Sequence, residues 1–198
     1  MTAPLVLASA SPRRAELLRT AGIRFEVVTA DIDERQLDEE DAETYVRRLA
    51  AAKAARVAGT CPGRAVLGAD TTVVVDGEVL GKPRDAADAR RMLRLLADRT
   101  HEVLTAVALF APGGACVDAP VVRTSVTFRP LGDEEIAAYV ATGEPADKAG
   151  AYAIQGGAAG FVSAVQGSHS NVIGLPVEEV RALFERHQVP VGDAAAEG

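Results

Sequence analysis

Asp70 stands between Ala65-Val66-Leu67-Gly68-Ala69 and Thr71-Thr72-Val73-Val74-Val75, a carboxylate set inside consecutive apolar β segments. An acid there costs stability unless it is hydrogen-bonded, bound to a metal or used in catalysis. A turn cap is the plainer alternative, but Thr and Val continue the strand directly and leave little room for a turn. Glu34, in Asp31-Ile32-Asp33-Glu34, is a candidate second carboxylate for a hard cation such as Mg²⁺. Acidic runs are more often simply solvated, and the sequence by itself favours that for Glu34.

The cations are selective too. Lys53, Lys82 and Lys148 are the chain's only lysines, among 21 basic residues. An ammonium is a compact point charge on a flexible stem and suits a phosphate oxygen where a planar guanidinium does not fit. A coding bias towards arginine explains the same count, so the phosphate reading requires the three lysines to serve one site. Ser9-Ala10-Ser11-Pro12-Arg13-Arg14 reads as a strand-to-helix turn with Arg13 and Arg14 in the first helical turn. Cations are misplaced at that positive end of a helix, and a bound anion would remove the conflict and use the free N–H groups. Two solvated arginines on a capped helix are the simpler reading of that motif alone. Gln155, in Tyr152-Ala153-Ile154-Gln155-Gly156-Gly157, ends a predicted strand; its amide either reads a base edge or caps the turn. Ser168-His169-Ser170-Asn171 reads as a polar loop. His101, His169 and His187 are too scattered for a metal site or a triad, and no G-x-x-x-x-G-K-[ST] phosphate loop is present.

Short apolar runs alternate with helical segments, the pattern of an α/β or α+β domain. Strands are predicted at 5–8, 25–29 and 65–69, and a hairpin joins 72–75 to 78–80 through Asp76-Gly77. Longer strands follow at 101–110 and 121–128, with short ones around Tyr152 and Phe161. Ser11 is the predicted N-cap of a helix with Pro12 at its first position. Further helices are predicted at 42–58, after Asp85, at 133–142 and at 176–187. Lys53 falls on the apolar stripe of the second helix, with Tyr45, Leu49 and Val57. The acidic run 31–43 reads mostly as a solvated loop, and 189–198 as a flexible tail.

With 198 residues, 48% hydrophobic, the chain is long enough for one well-filled domain. Tryptophan is absent and aromatics make up 4%, so the core falls to Leu, Val, Ile and Ala. A net charge of -7 argues against general nucleic-acid or anionic-membrane binding, yet leaves room for an anionic small molecule in a cationic pocket. Cys61 and Cys116 lack metal-ligand spacing and make no disulfide framework. The first residues carry neither a basic leader nor an apolar run long enough for a membrane span, so a cytoplasmic protein is expected.

Taken in order, S-A-S-P-R-R at 9–14, D-I-D-E at 31–34, the A-A-A-K-A around Lys53, G-A-D-T at 68–71, G-K-P-R-D at 81–85, D-K-A-G-A-Y-A-I-Q-G at 147–156 and N-V-I-G-L-P at 171–176 resemble the Maf family of nucleoside triphosphate pyrophosphatases. Each motif is weak alone; the ordered set covers nearly the whole chain. The resemblance implies an α/β fold with a long mixed sheet flanked by helices, two lobes and a central cleft, akin to inosine triphosphatase. It implies a single domain over 1–188, and hydrolysis between the α and β phosphates to a monophosphate and pyrophosphate.

By motif match Asp70 is the catalytic carboxylate, activating water or holding Mg²⁺ or Mn²⁺ together with Glu34. Ser9, Arg13, Arg14, Lys53, Thr71, Lys82, Lys148 and Gln155 fall on substrate-binding positions. Arg13, Thr71 and Gln155 match the branch acting on dTTP and UTP; the 7-methyl-GTP branch has an aromatic residue where Pro12 stands. A homodimer is also what the family leads one to expect. The rival readings are a pyrophosphatase for another base and a non-enzymatic nucleotide-binding regulator of cell division. The acidic charge and the intact Asp70, Lys53 and Lys82 count against the second.

Overall fold

The protein is described here by a computed structural model covering residues 5–190. Among the described residues eight strands form one sheet, β1 (Leu5–Ala8), β2 (Phe25–Val27), β3 (Val66–Val75), β4 (Glu78–Leu80), β5 (Thr100–Phe110), β6 (Cys116–Asp118), β7 (Val121–Phe128) and β8 (Val162–Gln166). Their order is β2-β1-β3-β5-β7-β8, with β4 on β3 and β6 on β5. The pairings of β1 with β2 and β3 are parallel, whereas β3–β4, β5–β6 and β7–β8 are antiparallel. The helices that accompany it in the described residues are α1 (Pro12–Thr20), α2 (Ala42–Ala58), α3 (Ala86–Leu96), α4 (Asp133–Ala141), α5 (His169–Ile173) and α6 (Val177–Arg186). The chain is thus mixed α/β, with a mostly antiparallel sheet flanked by helices.

It divides into two compact units. The first comprises 5–70, 105–122 and 174–190; the second comprises Thr71–Leu104 and Arg123–Ile173. Each has its own core. In the first, Leu5, Leu7, Leu18, Leu67, Val107, Leu109, Leu183 and Phe184 pack together. β1 is buried at every position, which is why it reads as a continuous apolar run rather than an alternation. In the second unit Phe128, Tyr139, Tyr152 and Phe161 meet edge to face among Val73, Leu80, Leu93 and Leu96.

Local rules account for the elements that carry the site. The Asp41 carboxylate caps α2 by accepting from Thr44 N–H at 2.8 Å, with Glu43 in the first turn and Arg56 in the last, matching the helix dipole. Its buried residues Val46, Leu49, Ala50, Lys53, Ala54 and Val57 recur at helical spacing. Asp76 and Gly77 both have positive φ, 50° and 81°, as a two-residue hairpin loop requires.

Several predicted features differ. Ser11 occupies the N-cap position of α1, but its side chain makes no capping hydrogen bond. The predicted strand around Tyr152 is absent: that stretch runs through 3-10 turns at Glu144–Asp147, Ala149–Ala151 and Gly157–Phe161, because Gly150 and Ala151 both take left-handed φ. The strand near Phe161 begins one residue later, and the polar loop at 168–171 is largely the start of α5. Of the predicted tail, Val189 N–H donates to Phe184 O at 2.9 Å, and 191–198 lie outside the described residues.

Candidate active site

Asp70 lies within β3, which continues unbroken from Val66 to Val75, so the turn-cap alternative falls away. Side chains alternate along a strand, placing Gly68 and Asp70 on the same face. A Cβ on Gly68 would fall 2.3 Å from the Ala50 carbonyl oxygen and 2.9 Å from Ala54 Cβ. The missing side chain of Gly68 and the small Ala50 and Ala54 let α2 lie directly on the strand. Lys53, between those alanines, is thereby brought to Asp70. Its Nζ donates to Asp70 Oδ1 at 2.7 Å and pairs with Glu34 Oε1 at 2.6 Å.

Asp70 is 7% exposed and Lys53 9%, while the Glu34 side chain is 44% exposed. Burial drives the Asp70 carboxyl above its ordinary range, opposed chiefly by Lys53 and then by Arg14. Tyr45, one turn along α2, is pushed up to about 12 by burial and then by the charges of Asp70 and Glu34. Its hydroxyl donates to the Glu34 carbonyl at 2.9 Å. Arg48, on the next part of the same helix, holds the Glu40 carboxylate at 2.6 and 2.7 Å and the Arg35 carbonyl at 2.9 Å. The acidic run is therefore pinned to α2 at several points. It remains the mostly exposed loop that its composition suggests, tied to α2 at those points.

Arg14 is buried behind the same strand. Its Nη1 donates to Ala69 O at 2.8 Å and to Ser9 Oγ at 3.2 Å, and its Nε donates to Gly174 O at 2.7 Å. Ser9 Oγ also accepts from Ser11 N–H at 3.1 Å. Burial lowers the affinity of the Arg14 guanidinium for its proton, and Asp70 acts against that. The structure thus brings Ser9, Arg14, Glu34, Lys53 and Asp70 together in the first unit, with Arg13 partly exposed beside them on α1.

Thr71, Lys82, Lys148 and Gln155 belong to the second unit. Gly150 N–H donates to Gly81 O at 3.1 Å, so the turns carrying Lys82 and Lys148 lie side by side. Lys82 is exposed, and Asp88 secures its turn by accepting from Arg84 N–H and Nε, both at 3.1 Å. Lys148 Nζ donates to Glu144 O at 3.1 Å and pairs with Asp147. Gln155 is exposed in a turn instead of ending a strand. Sequence reasoning missed Tyr45 and Glu144. Tyr45 was visible only as a member of the Lys53 stripe, and Glu144 carried no signal of its own.

The fold and this cluster define an α/β protein with a candidate hydrolytic centre built from two carboxylates and buried cations. The chain belongs to the Maf family: the family described as Maf-like protein matches residues 4–187. It is 57% identical over 182 residues to the dTTP/UTP pyrophosphatase of Geotalea uraniireducens (strain Rf4), covering 92% of this chain and 94% of that one. It is 56% identical over 187 residues to the dTTP/UTP pyrophosphatase of Myxococcus xanthus (strain DK1622), covering 94% of both. Among solved structures, the Staphylococcus aureus Ham1 protein shares the fold at 14% identity and a TM-score of 0.50, over 93% of this chain and 100% of that one.

Proposed function

We propose that the chain is a nucleoside triphosphate pyrophosphatase that converts dTTP and UTP to the monophosphate and pyrophosphate, with residues 1–188 as one catalytic domain. The observation that carries this reading is the Lys53 ammonium, 2.7 Å from Asp70 and 2.6 Å from Glu34, in a chain so similar to relatives bearing that name. A carboxylate whose proton affinity is raised by burial is a better base at working pH than an ordinary surface acid. Asp70 takes a proton from the attacking water. The water oxygen bonds to the α-phosphorus as the bond to the α–β bridging oxygen breaks, and pyrophosphate leaves with that oxygen. Lys53 keeps Asp70 oriented and offsets charge that grows on the phosphates. Arg14 and Ser9 support the strand behind Asp70.

A hard divalent cation fits the donor set. Glu34 and Asp70 are brought together by the Lys53 ammonium that both contact, and Mg²⁺ is held by one or two carboxylates with waters and substrate phosphates completing its shell. Glu34 and Asp70 would hold it. When bound, Mg²⁺ or Mn²⁺ supplies Lewis-acid neutralisation of phosphoryl oxygens. On the motif match, Arg13, Thr71, Lys82 and Lys148 bind the nucleotide, and Gln155 reads the base. An amide offers a donor and an acceptor, matching the imide edge shared by thymine and uracil.

Asp70→Asn keeps the side-chain shape and removes the base. Pyrophosphate release from dTTP should fall by about 10²-fold or more. A folded variant with near wild-type turnover removes Asp70 from the mechanism.

A further inference from the structure

The turn that carries Gln155 is held by two side chains that no motif singles out. Tyr139, buried on α4, accepts from Ala153 N–H through its hydroxyl at 3.0 Å. Burial, and then the Glu144 carboxylate, raise the pKa of that hydroxyl. Glu144 Oε2 in turn accepts from Gly157 N–H at 2.9 Å. The two residues therefore grip the turn at both ends, at positions 153 and 157, with Gln155 midway. The fit is close: a Cβ on Gly156 would fall 2.0 Å from Glu144 Oε1, and one on Gly157 would fall 2.9 Å from the Tyr139 ring. The Glu144 main-chain carbonyl also accepts from Lys148 Nζ at 3.1 Å. One residue thus ties a proposed phosphate cation to the proposed base reader.

We propose that Glu144 is a positioning residue for base discrimination, clamping with Tyr139 the turn that presents Gln155. The inference rests on the reading of Gln155 as the group that reads the pyrimidine edge. Gln155 is exposed, so nothing in its own packing fixes its amide. A neutral amide discriminates between bases only while its donor and acceptor are held in register with theirs. A base presented to a displaced amide leaves partners unpaired whichever base it is, which erases the difference between substrates.

The test measures kcat/KM for dTTP and for CTP in wild type, Glu144→Ala, Glu144→Gln, Gln155→Ala and the Glu144→Ala/Gln155→Ala double variant, with a thermal melt of each. The preference for dTTP over CTP should fall by about tenfold or more in Glu144→Ala, since small misplacements at a site are costly. Glu144→Gln still offers an oxygen to Gly157 N–H and should retain most of the preference, which loss of general stability would not explain. Gln155→Ala should lose the preference to a similar extent, and the double variant should lose no more than Gln155→Ala. A wild-type preference in Glu144→Ala, with the preference lost in Gln155→Ala, overturns the clamp and leaves the role of Gln155 standing. Additive losses in the double variant overturn the clamp as well. A wild-type preference in Gln155→Ala overturns both assignments, and absence of dTTP turnover in the wild type overturns the function on which they rest.

Discussion

Lys53 is where charge and shape can be separated by substitution. Its ammonium serves two carboxylates from a slot lined by Ala50 and Ala54, and a guanidinium keeps the charge but is bulkier, planar and forked. Lys53→Arg should therefore cost nearly as much pyrophosphate release as Lys53→Ala, about 10²-fold, as a displacement near 1 Å can do. The structure adds a consequence for stability that the sequence left open. Lys53→Ala leaves a buried carboxylate without its ammonium, so the melt should drop, and adding Asp70→Ala should restore much of the loss. Lys82 is exposed, so Lys82→Arg should lower activity with an unchanged melt. Wild-type rates in both Lys→Arg variants would reduce the scarcity of lysine to a compositional accident. Arg14 shows the limit of reading charge from a motif. Its place in the first turn of α1 suggests an anion contact, yet its hydrogen bonds run to Ser9, Ala69 and Gly174, and the Gly174 partner lies 160 residues away.

The contact between α2 and β3 decides whether the cluster can exist. Gly68→Ala would drive a methyl into the Ala50 carbonyl at 2.3 Å, and backbone cannot swing aside as a flexible side chain can. We expect a loss of about 2–3 kcal/mol, a melting temperature lower by roughly 5–10 °C, and impaired activity because Lys53 moves with its helix. A variant as stable and active as wild type would mean that the helix does not rest on that strand. Elements written in local chemistry were legible in the sequence. The extent of α2 followed from its apolar stripe, and the hairpin followed from Asp76-Gly77, a pair that suits a two-residue loop. Lys53 on an apolar stripe was visible, but its partners were not, since Asp70 lies 17 residues on and nothing local points to it. The region around Tyr152 was misread because its apolar residues pack from successive 3-10 turns, which share no simple period with a strand. β6 has no buried residue among its three, so no apolar face marks it in the sequence.

The folded chain as a whole carries a pH dependence that is separate from the chemistry. His101, 1% exposed, lies edge-on to Phe128 and Tyr152; its Nε2 meets the Tyr152 hydroxyl at 2.9 Å, and its buried Nδ1 has no hydrogen-bond partner among the described residues. Burial lowers its pKa from 6.5 to about 4. Above pH 6.5 the ring is neutral in both folded and unfolded chains, and its contribution is fully present. As pH falls towards 4 the unfolded chain binds a proton that the folded chain refuses, so stability is lost, by about 3 kcal/mol in all. Denaturant midpoints for wild type and His101→Phe should converge across that window, and parallel curves would contradict the buried neutral ring. Among the described residues no helix is long and apolar enough to cross a membrane. The most direct measurement is the rate of pyrophosphate release with Mg²⁺ from dTTP, UTP, CTP, GTP, ATP and 7-methyl-GTP, each supplied separately. dTTP and UTP should give the highest kcat/KM, with monophosphate and pyrophosphate as the products; a profile led by CTP or a purine nucleotide, or release of orthophosphate in place of pyrophosphate, would overturn the proposed activity.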